Sequence, residues 1–172
     1  MPVVDDIYLG NPNLKKANVP LEFTQEQLLE YMACRHDPVY FAKQHVKIVS
    51  LDEGLTSFQP YDFQEKLIER FHENRFNICK MPRQTGKSTT CIAYLLHYLL
   101  FNDSVNIGIL ANKAATAREL LGRLQTAYEN VPKWMQQGVL SWNRGSLELE
   151  NGSKILAAST SASAVRGMSF NI

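Results

Sequence analysis

The sequence predicts an α/β fold: a parallel sheet with flanking helices, plus an N-terminal helical segment and a C-terminal β-hairpin. Three observations predict it. Residues 75–130 alternate apolar runs of strand length with longer helical patterns, the signature of parallel strands joined by crossover helices. Between the first run and the first helix lies Met81-Pro82-Arg83-Gln84-Thr85-Gly86-Lys87-Ser88-Thr89, a tight polar loop opening onto a helix start. Beyond residue 138 the pattern turns to short alternating strands around Asn151-Gly152, which predicts a hairpin with a type I′ turn.

Composition sets the bounds. A chain of 172 residues, 45% hydrophobic and 20% charged, is about one globular domain. A net charge of +1 excludes a strongly basic nucleic-acid binder, so any such site must be a local patch. Cys34, Cys79 and Cys91 form no C-x-x-C pair, and the latter two flank the loop in apolar company, reading as reduced core residues. No signal-like start and no apolar run of membrane length is present, which predicts a cytoplasmic protein with no membrane partner.

Residues 1–22, with Pro2, Gly10, Pro12 and Pro20, read as an irregular arm in which Lys15 and Lys16 are solvated. Thr24 and Gln27 form a capping box, and Leu28, Leu29 and Met32 give the helix to about Arg35 an apolar face. Asp37-Pro38 restarts a helix to about Gln44, with the acid as cap and proline at its first position. Residues 46–50 alternate as a strand, punctuated by Glu53-Gly54. A helix over about 62–73 places Phe63, Leu67, Ile68 and Phe71 on one face. Phe76–Cys79 reads as the strand leading into the loop, and the helix after it ends near Phe101. Residues 105–111 form the next strand. Asn112 caps a helix from about 113 to 130 with Ala117, Leu120, Leu121, Leu124 and Tyr128 on one face. Val139–Trp142 is a short strand, and 146–150 pairs with 153–157.

The loop carries the chemistry. Gly86 allows the backbone to approach an anion, and the helix start behind it presents free N–H groups and a positive dipole end. Lys87 can reach β- and γ-phosphate oxygens, and the Ser88 hydroxyl suits Mg²⁺. The pattern G-x-x-x-x-G-K-[ST] has Met81 where its first glycine belongs, so the alternative is a plain helix start with a surface lysine. Upstream, Gln64 beside Tyr61 and Phe63 offers an amide for an adenine edge and a ring to stack on the base; otherwise it is an exposed residue of a helix start. Arg166, next to Gly167, either faces a phosphate or holds a loop in place.

Five segments, in order, resemble the ATPase half of the large terminase of tailed phages, T-even type. Arg75–Lys80 leading into Arg83-Gln84-x-Gly86-Lys87-Ser88 is similar to that family's strand and deviant Walker A. Ile107–Ala111 resembles its second strand and Trp142–Ser153 its hairpin; Ala164–Phe170 resembles the segment before its Walker B strand. The resemblance runs from about residue 40 to the last residue.

It implies an ATP- and Mg²⁺-dependent motor that drives double-stranded DNA into a preformed head, working in the host cytoplasm with the portal and the small terminase subunit. By the same resemblance the nucleotide contacts are Gln59, Gln64, Arg83, Gln84, Thr85, Gly86, Lys87, Ser88 and Thr89. Lys87 and Arg83 would be catalytic, the arginine a finger in cis on the γ-phosphate, and Ser88 would be the metal ligand. Arg166-Gly167 would link the nucleotide site to moving parts.

Such an ATPase also needs an apolar strand ending in Asp-Glu. None of Asp103, Glu119, Glu129, Glu148 or Glu150 follows an apolar run, so the expectation is an incomplete P-loop NTPase fold. Residues 1–60 would be the arm and helical lead-in, and 61–172 the first part of the ATPase domain. ATPase activity would then require a C-terminal remainder as partner. The alternatives are a nucleotide-binding, non-hydrolysing module and a fragment of a helicase-like ATPase.

Overall fold

A computed structural model describes residues 6–50, 52–161 and 167–172. It is an α/β structure with a mixed sheet. The arm, expected to be irregular, forms a small antiparallel pair, β1 (Ile7–Tyr8) and β2 (Asn11–Lys15). Leu14 is buried there and Lys15 is 6% exposed, so the expectation of a solvated Lys15 is overturned. Its ammonium lies 2.9 Å from Glu150 Oε1, and its N–H donates to Gln136 Oε1 at 3.0 Å. Burying a charge is costly unless it is paired, and Glu150 supplies the pair. The buried Gln136 also donates to the carbonyls of Asn13, Tyr128 and Val131, fastening the arm to the rest of the chain.

Helix α1 (Gln25–His36) starts at the expected Thr24–Gln27 capping box, and α2 (Pro38–His45) at Asp37, whose carboxylate accepts from the N–H groups of Val39 and Tyr40. The predicted apolar face of α1 is turned to solvent: Leu28, Leu29 and Met32 are 51%, 66% and 43% exposed. The helix packs inward through Cys34 and Tyr31 instead. Strands β3 (Lys47–Ser50) and β4 (Gly54–Ser57) pair antiparallel, and α3 spans Asp62–Glu73. Helix α4 (Lys87–Phe101) is buried on most sides, by α2, α3 and the following helix α5 (Ala114–Glu129). Ala117, Leu121, Leu124 and Tyr128 form the core face of α5 as its periodicity predicts. Its N-cap is Lys113 rather than Asn112.

The four-stranded sheet runs β5 (Asn106–Ala111), β8 (Lys154–Ser159), β7 (Ser146–Leu149), β6 (Val139–Trp142). Only β5 and β8 are parallel, so the expected parallel sheet is corrected to a mixed one. The hairpin β7–β8 is present, but not with a type I′ turn. Gly152 has φ +79° while Asn151 does not enter the left-handed region, and Gly152 N–H donates to Leu149 C=O at 3.0 Å. That is a type I turn followed by a glycine bulge, which needs one left-handed residue instead of two.

The second correction concerns Phe76–Cys79, which is not a strand. A strand exists only where a neighbour completes its ladder, and none of the described strands lies alongside. Ile78 and Phe76 are 100% and 85% exposed, and Cys79 is exposed rather than a core residue. A groove of about 690 Å³, lined by Phe71, Phe76, Tyr94, Tyr98, Phe170 and Ile172, borders this segment. Asn171 and Ile172 bind the open edge of β5: Asn171 N–H donates to Asn106 C=O at 2.8 Å, and Gly108 N–H to Ile172 C=O at 2.9 Å. The ring of Phe170 sits over Gly108, where a Cβ would come within 3.1 Å of it.

Candidate phosphate-binding site

The loop Met81–Gly86 joins the extended segment to α4. Two of its residues are left-handed, Gln84 at φ +62° and Gly86 at φ +74°. Left-handed residues set among right-handed ones turn successive backbone N–H groups toward one side, a concavity suited to an oxyanion. Gly86 is the N-cap of α4 and has no side-chain cap, and its carbonyl accepts the first helical bond from Thr90 N–H at 2.9 Å. The N–H groups of the first turn are therefore available to a ligand, at the positive end of a helix of 15 residues.

Side chains fix the loop. Thr85 Oγ1 donates to Pro82 C=O at 3.0 Å, and the buried Thr90 hydroxyl to Gly86 C=O at 3.1 Å. Lys87 folds back over the loop, its ammonium donating to Met81 C=O at 3.2 Å and to Pro82 C=O. An ammonium held on neutral carbonyls is free to exchange them for an anion. One turn into the helix, burial pushes the Cys91 thiol up to about 11, so it stands as an inert thiol rather than a nucleophile near Lys87.

Gln64, on the first turn of α3, is brought directly to this loop. Its Oε1 accepts from Tyr61 N–H at 2.9 Å and its Nε2 donates to Thr85 C=O at 3.3 Å. The residue is 4% exposed, which excludes its reading as an exposed residue of a helix start. Beside it the rings of Tyr61 and Phe63 stack, 5.8 Å apart and 9° from parallel, and both are largely open to solvent. Arg83, Gln84 and Ser88 are exposed on the loop and the first turn of α4, with Thr89 half-buried behind them. Gln59 stands exposed ahead of α3. Arg166 lies outside the described residues. Sequence reasoning noted Met81 only for the missing glycine and gave no role to the Met81 and Pro82 carbonyls, which hold Lys87. The available signal was the fixed φ of Pro82, which sets the direction of the chain entering the turn.

The model of the family described as terminase large subunit, T4likevirus-type, N-terminal, matches residues 78–172. The chain belongs to this family. The match begins inside the extended segment before the loop and takes in the loop, α4, the whole mixed sheet and the tail on β5. A terminase large subunit works in packaging phage DNA, so DNA and other components of the packaging complex are the partners of this terminase in general terms. Among the described residues no helix is long and apolar enough to cross a membrane.

Proposed function

We propose that this terminase segment binds ATP with Mg²⁺ on the loop Met81–Gly86 and the first turn of α4, as the nucleotide-binding portion of a P-loop motor. One observation carries the reading. Two left-handed residues, Gln84 and Gly86, lead directly into a helix start that has no side-chain cap, and the Lys87 ammonium folds back onto the carbonyls of Met81 and Pro82. In this reading the N–H groups of Thr85 to Thr89 cradle phosphate oxygens, Lys87 leaves the Met81 and Pro82 carbonyls for the β- and γ-phosphates, and Ser88 Oγ ligates Mg²⁺. Arg83 stabilises the charge that develops on the γ-phosphoryl group during transfer. Gln64 reads the adenine edge, with the Tyr61–Phe63 pair as the stacking surface and Gln59 as a further contact. Hydrolysis would drive double-stranded DNA toward the portal, alongside the small terminase subunit, in the host cytoplasm.

Nucleotide titration of wild type and Lys87→Ala tests the assignment. Loss of the ammonium removes a charge-assisted contact, so affinity for MgATP falls at least tenfold, at about 1.4 kcal/mol per factor of ten. Equal affinity in the two proteins sinks it.

A further inference from the structure

We propose a Zn²⁺ site formed by Glu30, Cys34 and His45, where α1 and α2 meet. Their ligand atoms, Glu30 Oε1, Cys34 Sγ and His45 Nε2, all lie within 4.8 Å of one another. Glu30 and Cys34 stand one turn apart on α1, and His45 closes α2 above them. The Sγ–Oε1 distance is 3.6 Å, about the edge that Zn–S and Zn–O bonds of ordinary length subtend in a tetrahedron. The Nε2–Oε1 distance is 2.8 Å and has to open to roughly 3.3 Å to admit the ion. A rotamer adjustment at the end of a two-turn helix supplies that movement.

The surroundings suit a metal centre. Tyr40 OH donates to Glu30 Oε2 at 3.0 Å, which orients the carboxylate and leaves Oε1 for the ion, as an outer-shell partner does. Cys34 is fully buried, whereas the Glu30 and His45 side chains keep 30% and 14% of their surface, which gives the ion a way in. One sulfur, one imidazole and one carboxylate form a borderline-soft set that favours Zn²⁺ over Mg²⁺ or Ca²⁺. On binding, the Cys34 thiol loses its proton to solvent, His45 clears Nε2 of the proton it holds toward Glu30 by passing it to solvent or carrying it on Nδ1, Glu30 ligates as the carboxylate, and water completes four ligands. The consequence is a clip between α1 and α2. Cys34 also reaches α4 through its carbonyl, 2.9 Å from His97 Nε2.

Co²⁺, a visible stand-in for Zn²⁺, tests this on the full chain after chelator treatment. Wild type takes up one equivalent, with the thiolate-to-cobalt charge-transfer band and the intense visible bands of four-coordinate cobalt, and added Zn²⁺ bleaches both. Cys34→Ser loses the charge-transfer band, and His45→Gln binds at least about 100-fold more weakly, since loss of even an outer-shell partner costs 10–100-fold. Cys79→Ser and Cys91→Ser match wild type. Should Cys34→Ser not fold, the thermal midpoint decides: Zn²⁺ raises it in wild type and not in His45→Gln. A wild type without cobalt bands, bands that survive Cys34→Ser in a folded protein, or an equal Zn²⁺ response in His45→Gln would overturn the site.

Discussion

Gly86→Ala is the sharpest probe of how the loop is held, because two separable costs meet there. The first is local. An L-residue at φ +74° sits in the left-handed region, which costs about 1–2 kcal/mol. The second is a contact. A Cβ at Gly86 would lie 2.4 Å from Gln64 Nε2. The end of a glutamine ordinarily swings aside at little cost, but this one is buried and engaged at both amide atoms, by Tyr61 N–H and Thr85 C=O. Moving it gives up one or both bonds, at about 0.5–1.5 kcal/mol each. The substitution therefore destabilises wild type by about 2–4 kcal/mol. In a Gln64→Ala background the contact is gone and only the local cost of about 1–2 kcal/mol remains. Urea unfolding of the four proteins measures the difference as a coupling of about 1–2 kcal/mol between residues 64 and 86. Coupling within error of zero would show that Gln64 does not brace the loop and that the contact drawn here is wrong.

Two further outcomes follow from single residues. Arg83→Ala, in a packaging ATPase that carries this segment, leaves MgATP affinity within a few-fold and lowers turnover roughly 1,000-fold or more, as removal of an arginine finger does; normal phosphate release would return Arg83 to the turn it occupies. His97, 2% exposed in the ring cluster of Phe41, Tyr94 and Phe101, is pushed down to about 4 by burial. The folded chain therefore stays unprotonated there while the unfolded chain takes up a proton below about pH 6.5, so stability falls between roughly pH 6.5 and 4. From pH 7 to 5 this contributes about 2 kcal/mol, read as the extra pH dependence of the urea midpoint in wild type over His97→Gln. The lowered carboxyls of Glu30 and Glu150 act in the same direction in both proteins and cancel in the comparison, and equal slopes would refute it.

What could be read from the sequence was what the chain decides locally. The capping box at Thr24–Gln27, the Asp37-Pro38 start and the core face of α5 depend on residues three or four apart, and all three stand as expected. The helix start behind Gly86 belongs to the same class, since glycine, lysine and the first turn of α4 are neighbours in sequence; the strand expected before the loop does not. What failed depended on distant partners. Lys15 is buried because Glu150 and Gln136, more than 120 residues away, pair with it. Leu28, Leu29 and Met32 have helical spacing, yet spacing cannot say which side of α1 meets a core. The run at Phe76–Cys79 has the composition of a strand but no ladder partner among the described residues, and composition alone makes no ladder.

Gln64 shows why a residue can be found by sequence while its work is not. Its two hydrogen bonds on Tyr61 N–H and Thr85 C=O do not exhaust a carboxamide, which has two lone pairs and two N–H donors. One acceptor and one donor position remain by valence, so base reading would add to bracing only where a base edge reaches this 4%-exposed amide. The two roles predict different losses. If the loop binds phosphate as proposed, bracing it serves either nucleotide, so Gln64→Ala would weaken ATP and GTP alike. Base reading adds a term for adenine only, because a site that hydrogen-bonds a ligand edge rejects one that leaves its groups unpaired. If Gln64 does both, ATP affinity falls by the shared factor multiplied by about tenfold, the worth of one or two such bonds at about 1.4 kcal/mol, while GTP affinity falls by the shared factor alone. Titrating both nucleotides into wild type and Gln64→Ala separates them. Equal losses for ATP and GTP would leave Gln64 as a brace and return adenine recognition to other groups around the exposed Tyr61–Phe63 pair.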